Sequence, residues 1–206
     1  MFAMNITNTR SSFINDLDSG FTHLPFNKSY YVIHKPYNFA LEKRYSFIHG
    51  VHKLWVFSND KSFRPESPTK PRSELSVNGH VYSTSVWQFE ADVFVPHGTS
   101  GVSLMQVFGG SPQATTLMIR VYDGSLYYYR SKVIFNHIYN KWFRLNVIHD
   151  VGNNNVKIYI NGDLKFEGRG RGGTEHYFEC GVYAQDEDSP CMESRWKNVN
   201  IYKKSN

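Results

Sequence analysis

From about Val51 onward, hydrophobic and polar residues alternate nearly one by one, and clusters of Gly, Asn, Asp, Ser and Pro interrupt the alternation. A period of two marks strands with one buried face, because successive side chains of a strand point to opposite sides. The pattern predicts strands at HKLWVF (52–57), SELSV (73–77), SVWQFEADVFV (85–95), GVSLMQVF (101–108), TTLMIRVY (115–122) and SLYYY (125–129). It continues with WFRLNVIH (142–149), NVKIYI (155–160), LKFEG (164–168), YFECGVYA (177–184) and RWKNVNIY (195–202). Almost nothing reads as helix. Tyr122-Asp123-Gly124-Ser125 and Ile160-Asn161-Gly162-Asp163 read as two-residue hairpin turns, since Asp-Gly and Asn-Gly supply positive φ angles. Short strands at this spacing specify an all-β sandwich or barrel and leave no room for a second domain. We read residues 1–206 as one domain, with 1–20 a flexible N-terminal segment. Ser58 to Lys70 is a polar, Pro-containing loop, and GRGRGG (168–173) is read as a solvated surface loop rather than a ligand-gripping flap.

Alternation also sorts the side chains by face. In YFECGVYA, Phe178, Cys180, Val182 and Ala184 form a plain core face, while Tyr177, Glu179, Gly181 and Tyr183 share the other. Leu104, Gln106 and Phe108 lie opposite Met105 and Val107. Thr116, Met118, Arg120 and Tyr122 lie opposite Leu117, Ile119 and Val121, and Trp142, Arg144 and Asn146 opposite Phe143, Leu145 and Val147. Arg72 and Glu74, two apart, share a face. Cys180, Val182, Leu145, Val147, Met105 and Val107 are therefore expected between two packed sheets. Arg72, Gln106, Arg120, Arg144, Asn146, Tyr177 and Tyr183 are expected on one aromatic, cationic and amide surface. The alternative is that each set merely faces water. Solvent faces favour Lys, Glu and Thr, whereas guanidinium forks bind carboxylates and aromatic rings stack on sugars, so the residue types favour a groove for a carboxylated ligand.

Composition narrows the class. Hydrophobic residues make up 40% and charged residues 20% of the 206-residue chain, enough for a real core. The 16% aromatic share suits both strands and binding platforms. A net charge of +5 suits an anionic partner, but the basic residues are scattered, which argues against nucleic acid. No apolar run is long enough to span a bilayer, so no membrane insertion is expected. MFAMNITNTRSS lacks a charged start followed by an apolar stretch, and the chain is read as a mature form. The sequons Asn5-Ile6-Thr7 and Asn27-Lys28-Ser29 lean towards the secretory pathway, vacuolar or extracellular. Cys180 and Cys191 are either a disulfide or two free thiols; spacing does not decide. They lack the further ligands of a metal site, and no cofactor is called for. A monomer is expected.

The ordered motifs KPRSEL (70–75), QVF (106–108) and YFECGVYAQ (177–185) resemble the signature strands of alginate lyases and their glucuronan-lyase relatives, approximately RTEL, QIH or QVH, and YFKAGVYNQ. GVHKLWVFSNDK, SPTKPRSEL, TSGVSLMQVFG, ATTLMIRVYDGSLYYY, WFRLNVIHD and HYFECGVYAQ resemble the plant citrate-binding protein family of the same superfamily more closely, from about residue 20 to the end. The resemblance implies a plant source and a concanavalin A-like fold: a two-sheet antiparallel β-jelly-roll sandwich of the alginate lyase type.

By motif position, Arg72 and Gln106 match residues that bind a uronate carboxylate in the lyases, and Tyr183 matches their catalytic tyrosine. Phe108 stands where the lyase motif has His, and a phenyl ring neither accepts a proton nor donates a hydrogen bond. Elimination through a separate base at that position is lost. A syn elimination with Tyr183 as both base and acid survives, with His52 or His80 as spare bases; each histidine is more often simply satisfied or solvent-facing. His49, His97, His137, His149 and His176 carry no assignment. Two functions follow. One is a binder of a small carboxylate such as citrate, or of an acidic oligosaccharide, through Arg72, Glu74, Gln106, Phe108, Arg120, Arg144, Asn146, Tyr177 and Tyr183. The other is a polyuronate lyase acting through Tyr183, with Arg72 and Gln106. Glu74 is expected to orient Arg72 rather than touch a ligand.

Overall fold

The computed structural model describes residues 16–186 and 189–204. The stretch 1–15, which holds the Asn5 sequon and most of the N-terminal segment read as flexible, lies outside them. Residues 16–18 form a short 3-10 turn. The described chain forms two antiparallel sheets packed face to face. The seven-stranded sheet comprises β2 (Val32–His34), β5 (Arg72–Ser76), β7 (Val102–Phe108), β8 (Thr115–Tyr122), β9 (Ser125–Tyr128), β10 (Lys132–Phe135) and β14 (Tyr177–Ala184). Its strand order is β10-β9-β8-β7-β14-β5-β2. The eight-stranded sheet comprises β1 (Phe21–Leu24), β3 (Tyr45–Ile48), β4 (Val51–Phe57), β6 (Val86–Phe94), β11 (Trp142–Asp150), β12 (Asn155–Ile160), β13 (Asp163–Arg169) and β15 (Cys191–Lys204). Both hairpins form as the sequence requires: Tyr122 pairs with Ser125 and Ile160 with Asp163, with positive φ at Asp123, Gly124, Asn161 and Gly162. The strands that alternation missed, β1, β2, β3 and β10, are four residues or shorter, too brief to show a period.

Leu145, Val147, Met105, Val107, Cys180 and Val182 all point between the sheets, fully or almost fully buried. Phe178 meets Phe89 of the facing sheet at 5.7 Å, and Phe89 meets Trp196 at 6.0 Å. The Trp196 indole N–H donates to Ser194 Oγ (2.8 Å), whose hydroxyl donates to the Gly181 carbonyl of the other sheet (2.8 Å). That chain satisfies a buried indole and ties the layers together. Leu104 departs from expectation. It is the extra residue of a bulge between the Ser103–Arg120 and Met105–Ile119 pairs, and it joins the core instead of sharing the face of Gln106. A second register shift places Thr115, not Thr116, beside Phe108. Cys180 and Cys191 are free thiols, the first buried on the seven-stranded sheet and the second exposed at the start of β15 on the other. Among the described residues no helix is long and apolar enough to cross a membrane.

The core carries polar groups at one end. His149 and His176 meet edge to face at 4.6 Å, and the Tyr82 hydroxyl lies 3.0 Å from His149 Nδ1. Burial pushes His149 down to about 3 and His52 down to about 4, so both are neutral in the fold. Above about pH 6.5 the folded and unfolded states hold these rings alike. Below it the unfolded chain takes up protons that the fold excludes, so stability falls by about 1.4 kcal/mol per pH unit for each ring. Chemical denaturation between about pH 6.5 and about pH 4 is expected to show this loss, and His149→Gln to remove roughly one proton's share of the slope.

Candidate functional site

The outer face of the seven-stranded sheet is the floor of a groove of about 570 Å³. Register fixes who meets whom. Tyr183 pairs with Arg72, Gly181 with Glu74, Glu179 with both Ser76 and Gln106, and Tyr177 with Phe108. Arg72, Gln106, Phe108, Tyr177 and Tyr183 thus converge from three adjacent strands, although up to 111 positions separate them, from Arg72 to Tyr183. Gly181 makes room for this. Its φ is +149°, and a Cβ there would lie 2.3 Å from the Ser73 carbonyl oxygen and 2.8 Å from the Glu74 Cα.

Beneath the floor lies a buried polar network. Glu74 and Glu179 are 0% and 1% exposed. The Gln106 amide donates to both, at 2.5 Å to Glu74 Oε1 and 3.3 Å to Glu179 Oε2. Gln106 is left with an acceptor oxygen, which suits a ligand hydroxyl better than a carboxylate. Burial first, then the neighbouring Glu179 charge, pushes the Glu74 carboxyl well above the usual range, against the pull of Arg72 and Gln106. Arg72 Nη1 lies 3.3 Å from Glu74 Oε2, so Glu74 sits under the floor and steers the guanidinium. The guanidinium stacks over the Tyr183 ring at 3.7 Å and the Phe63 ring at 4.7 Å, while its Nε is buried without a hydrogen-bond partner. Phe108, 37% exposed, stacks on Tyr177 at 4.9 Å, and burial raises the Tyr177 phenol above its ordinary range.

Several expected members lie elsewhere. Arg144 and Asn146 are on β11 of the opposite sheet, where Asn146 donates to Glu90 (2.8 Å) and Arg144 lies 3.9 Å from Glu90 and from Asp92. Alternation assigns a face within a strand but not the sheet to which the strand belongs. Arg120 is on the correct sheet and face but outside the groove lining, paired with Asp186 (3.3 Å) and in contact with the Met118 sulfur. His52 points inward from β4 to the Tyr45 hydroxyl (2.9 Å), and His80 bonds the Pro25 carbonyl (2.7 Å) and stacks on Tyr30. Neither reaches the groove.

The groove has members that alternation could not find. His34, on the three-residue edge strand β2, places Nδ1 3.3 Å from Glu179 Oε1. The 58–70 loop supplies a wall through Phe63, Arg64, Ser67 and Thr69. Asp60 anchors that loop by a two-pronged contact with Arg44 (2.6 Å each) and by accepting from the Phe57 N–H (2.9 Å). The 168–173 loop is absent from the lining and is pinned instead: Arg171 N–H donates to Thr116 Oγ1 (2.5 Å), and its guanidinium stacks on Tyr129 (3.8 Å). Another concavity, of about 450 Å³, lies on the eight-stranded sheet, but Lys157 and Glu167 there pair with each other (3.2 Å).

Residues 24–203 match the family model described as alginate lyase. The chain is 51% identical over 192 residues to a protein of Hevea brasiliensis named "Citrate-binding protein", covering 93% of this chain and 81% of that one. Among solved structures it resembles alginate lyase AlgAT5 of polysaccharide lyase family 7, with a TM-score of 0.67, 17% identity and coverage of 84% of this chain and 94% of that one. It also resembles the alginate lyase of a Corynebacterium species, with a TM-score of 0.65, 18% identity and coverage of 80% and 83%. At those identities the structures show that the fold is the alginate lyase jelly roll.

Two substitutions test the floor. Gly181→Ala must separate β5 from β14 and is expected to cost at least about 2 kcal/mol of stability by denaturant titration. Glu74→Gln keeps the amide contact but removes a carboxyl whose folded pKa is raised. Such a group stabilises the fold below its unfolded value of about 4.3 and loses that contribution as pH rises. The variant is therefore expected to gain stability over the natural protein from about pH 4.3 into the alkaline range, and to match it below.

Proposed function

The chain belongs to the alginate lyase family, and on that premise we propose that it is a carboxylate-binding protein that takes citrate or a similar small polycarboxylate in the groove over β5, β7 and β14. The observation that carries this reading is residue 108. Elimination from a polyuronate needs a base for the carbon-bound proton, and the position that holds histidine in the lyase motif holds a phenyl ring stacked on Tyr177. The carboxylate receptor is kept. Arg72 has a buried Nε without an acceptor, and a ligand carboxylate would supply one while the flanking rings exclude water. Arg64 on the loop wall offers a second cation, and the remaining Gln106 oxygen accepts from a hydroxyl such as citrate carries. The name of the Hevea protein supports the same ligand class. A secretory, vacuolar or extracellular setting belongs to this proposal, motivated by the exposed Asn27 sequon.

Tyr183 in the groove, packed on Arg72, supports a second reading: a lyase that uses Tyr183 as both base and acid. The two readings separate cleanly. For the binder, calorimetric titration with citrate is expected to show Arg72→Ala weakening affinity about tenfold to a hundredfold, while Tyr183→Phe changes it by less than about threefold. Incubation with a panel of polyuronates is expected to give no ultraviolet-absorbing unsaturated product. Robust product formation by the natural protein, abolished by Tyr183→Phe with binding retained, would establish the lyase instead.

A further inference from the structure

His34 was assigned no role by the sequence motifs, yet it stands where the groove's electrostatics need a cation. Under the floor lie two carboxylates, Glu74 and Glu179, both fully buried and both bonded to one amide. Arg72 is the guanidinium within ion-pair reach of Glu74, and the contact at Glu179 is His34 Nδ1, at 3.3 Å. YFECGVYAQ thus sets a second carboxylate, Glu179, beside Glu74 in the floor. Bringing an anionic ligand onto Arg72 above such a floor adds further negative charge beside Glu179 in a low-dielectric setting.

We infer that His34 is the switchable cation of this site: protonated, it neutralises Glu179 and allows a carboxylate to bind, so that ligand binding takes up a proton. The inference rests on the carboxylate-binding reading given above. His34 is suited to the part because its side chain is 22% exposed, it lines the groove, and its ring packs on Phe63 at 5.1 Å. The charged and titratable groups that pair with it or line the groove with it are Glu74 and Arg72 from β5, Glu179, Tyr177 and Tyr183 from β14, and Arg64 from the loop. Of these, Glu74 competes with it for a proton, because burial and the neighbouring Glu179 charge raise its carboxyl. A histidine is the side chain whose ordinary titration spans the acid-to-neutral range of secretory compartments.

The test is calorimetric titration of the full chain with citrate at about pH 5.5 and about pH 8, each variant being compared with the natural protein so that citrate's own titration cancels. Affinity of the natural protein is expected to fall at least about tenfold at the higher pH beyond the ligand's own contribution. His34→Gln should bind weakly at both pH values and lose that dependence. His34→Lys, a fixed cation, should bind at the higher pH about as well as the natural protein does at the lower. Glu74→Gln should keep the dependence. If His34→Gln retains the dependence while Glu74→Gln loses it, the proton goes to the carboxylate pair and the inference is overturned. Equal citrate affinity of natural protein and His34→Gln at both pH values would overturn it as well, with the binding reading intact. Absence of citrate binding at any pH would remove the binding reading itself.

Discussion

One side-chain amide holds the site together. Gln106 donates to two glutamates that have no access to water, and through them it sets the positions of Arg72 on one side and His34 on the other. Two buried carboxylates side by side repel, and each is costly to desolvate; together they persist only when hydrogen bonds and neighbouring cationic groups offset that cost. The groove above them inherits this constraint. Its cation is oriented from below by Glu74 and held from above by the rings of Phe63 and Tyr183, so the guanidinium is fixed before any ligand arrives.

The jelly roll supplies the rest by keeping two chemistries on opposite faces of the same strands. Cys180, Val182, Met105 and Val107 seal the core while Glu179, Tyr183 and Gln106 build the floor one residue away. Gly181 permits β5 to approach closely enough for Glu74 to join the network, and Ser194 braces the same glycine from the facing sheet. The wall depends on a separate tether, the Arg44–Asp60 fork, which commits the 58–70 loop to the groove side. Structure and chemistry are therefore coupled at Gly181 and Asp60 without either residue touching a ligand.

Much of this was legible from alternation alone, because a buried face imposes a strict period of two. The core faces of β7, β11 and β14 follow from it, and so does the grouping of Arg72, Gln106, Tyr177 and Tyr183 once their strands are neighbours. What alternation lacks is any knowledge of pairing. Arg144 and Asn146 show the right period and chemistry but belong to the other sheet. Leu104 shows the right parity on paper, and a bulge turns it inward. His34 lies on a strand of three residues, which has no detectable period, and Phe63 and Arg64 lie in a loop, where no periodic rule operates. Cys180 and Cys191 lie eleven positions apart but on different sheets, a separation that spacing conceals.

The central claim is that a carboxylate sits on Arg72 in this groove, and a crystal structure of the protein grown with citrate tests it most directly. A citrate carboxylate should lie on the Arg72 guanidinium between Phe63 and Tyr183, with a citrate hydroxyl towards the Gln106 oxygen. Citrate bound instead to the arginine and lysine side chains of the eight-stranded sheet, with the groove empty, would contradict the account.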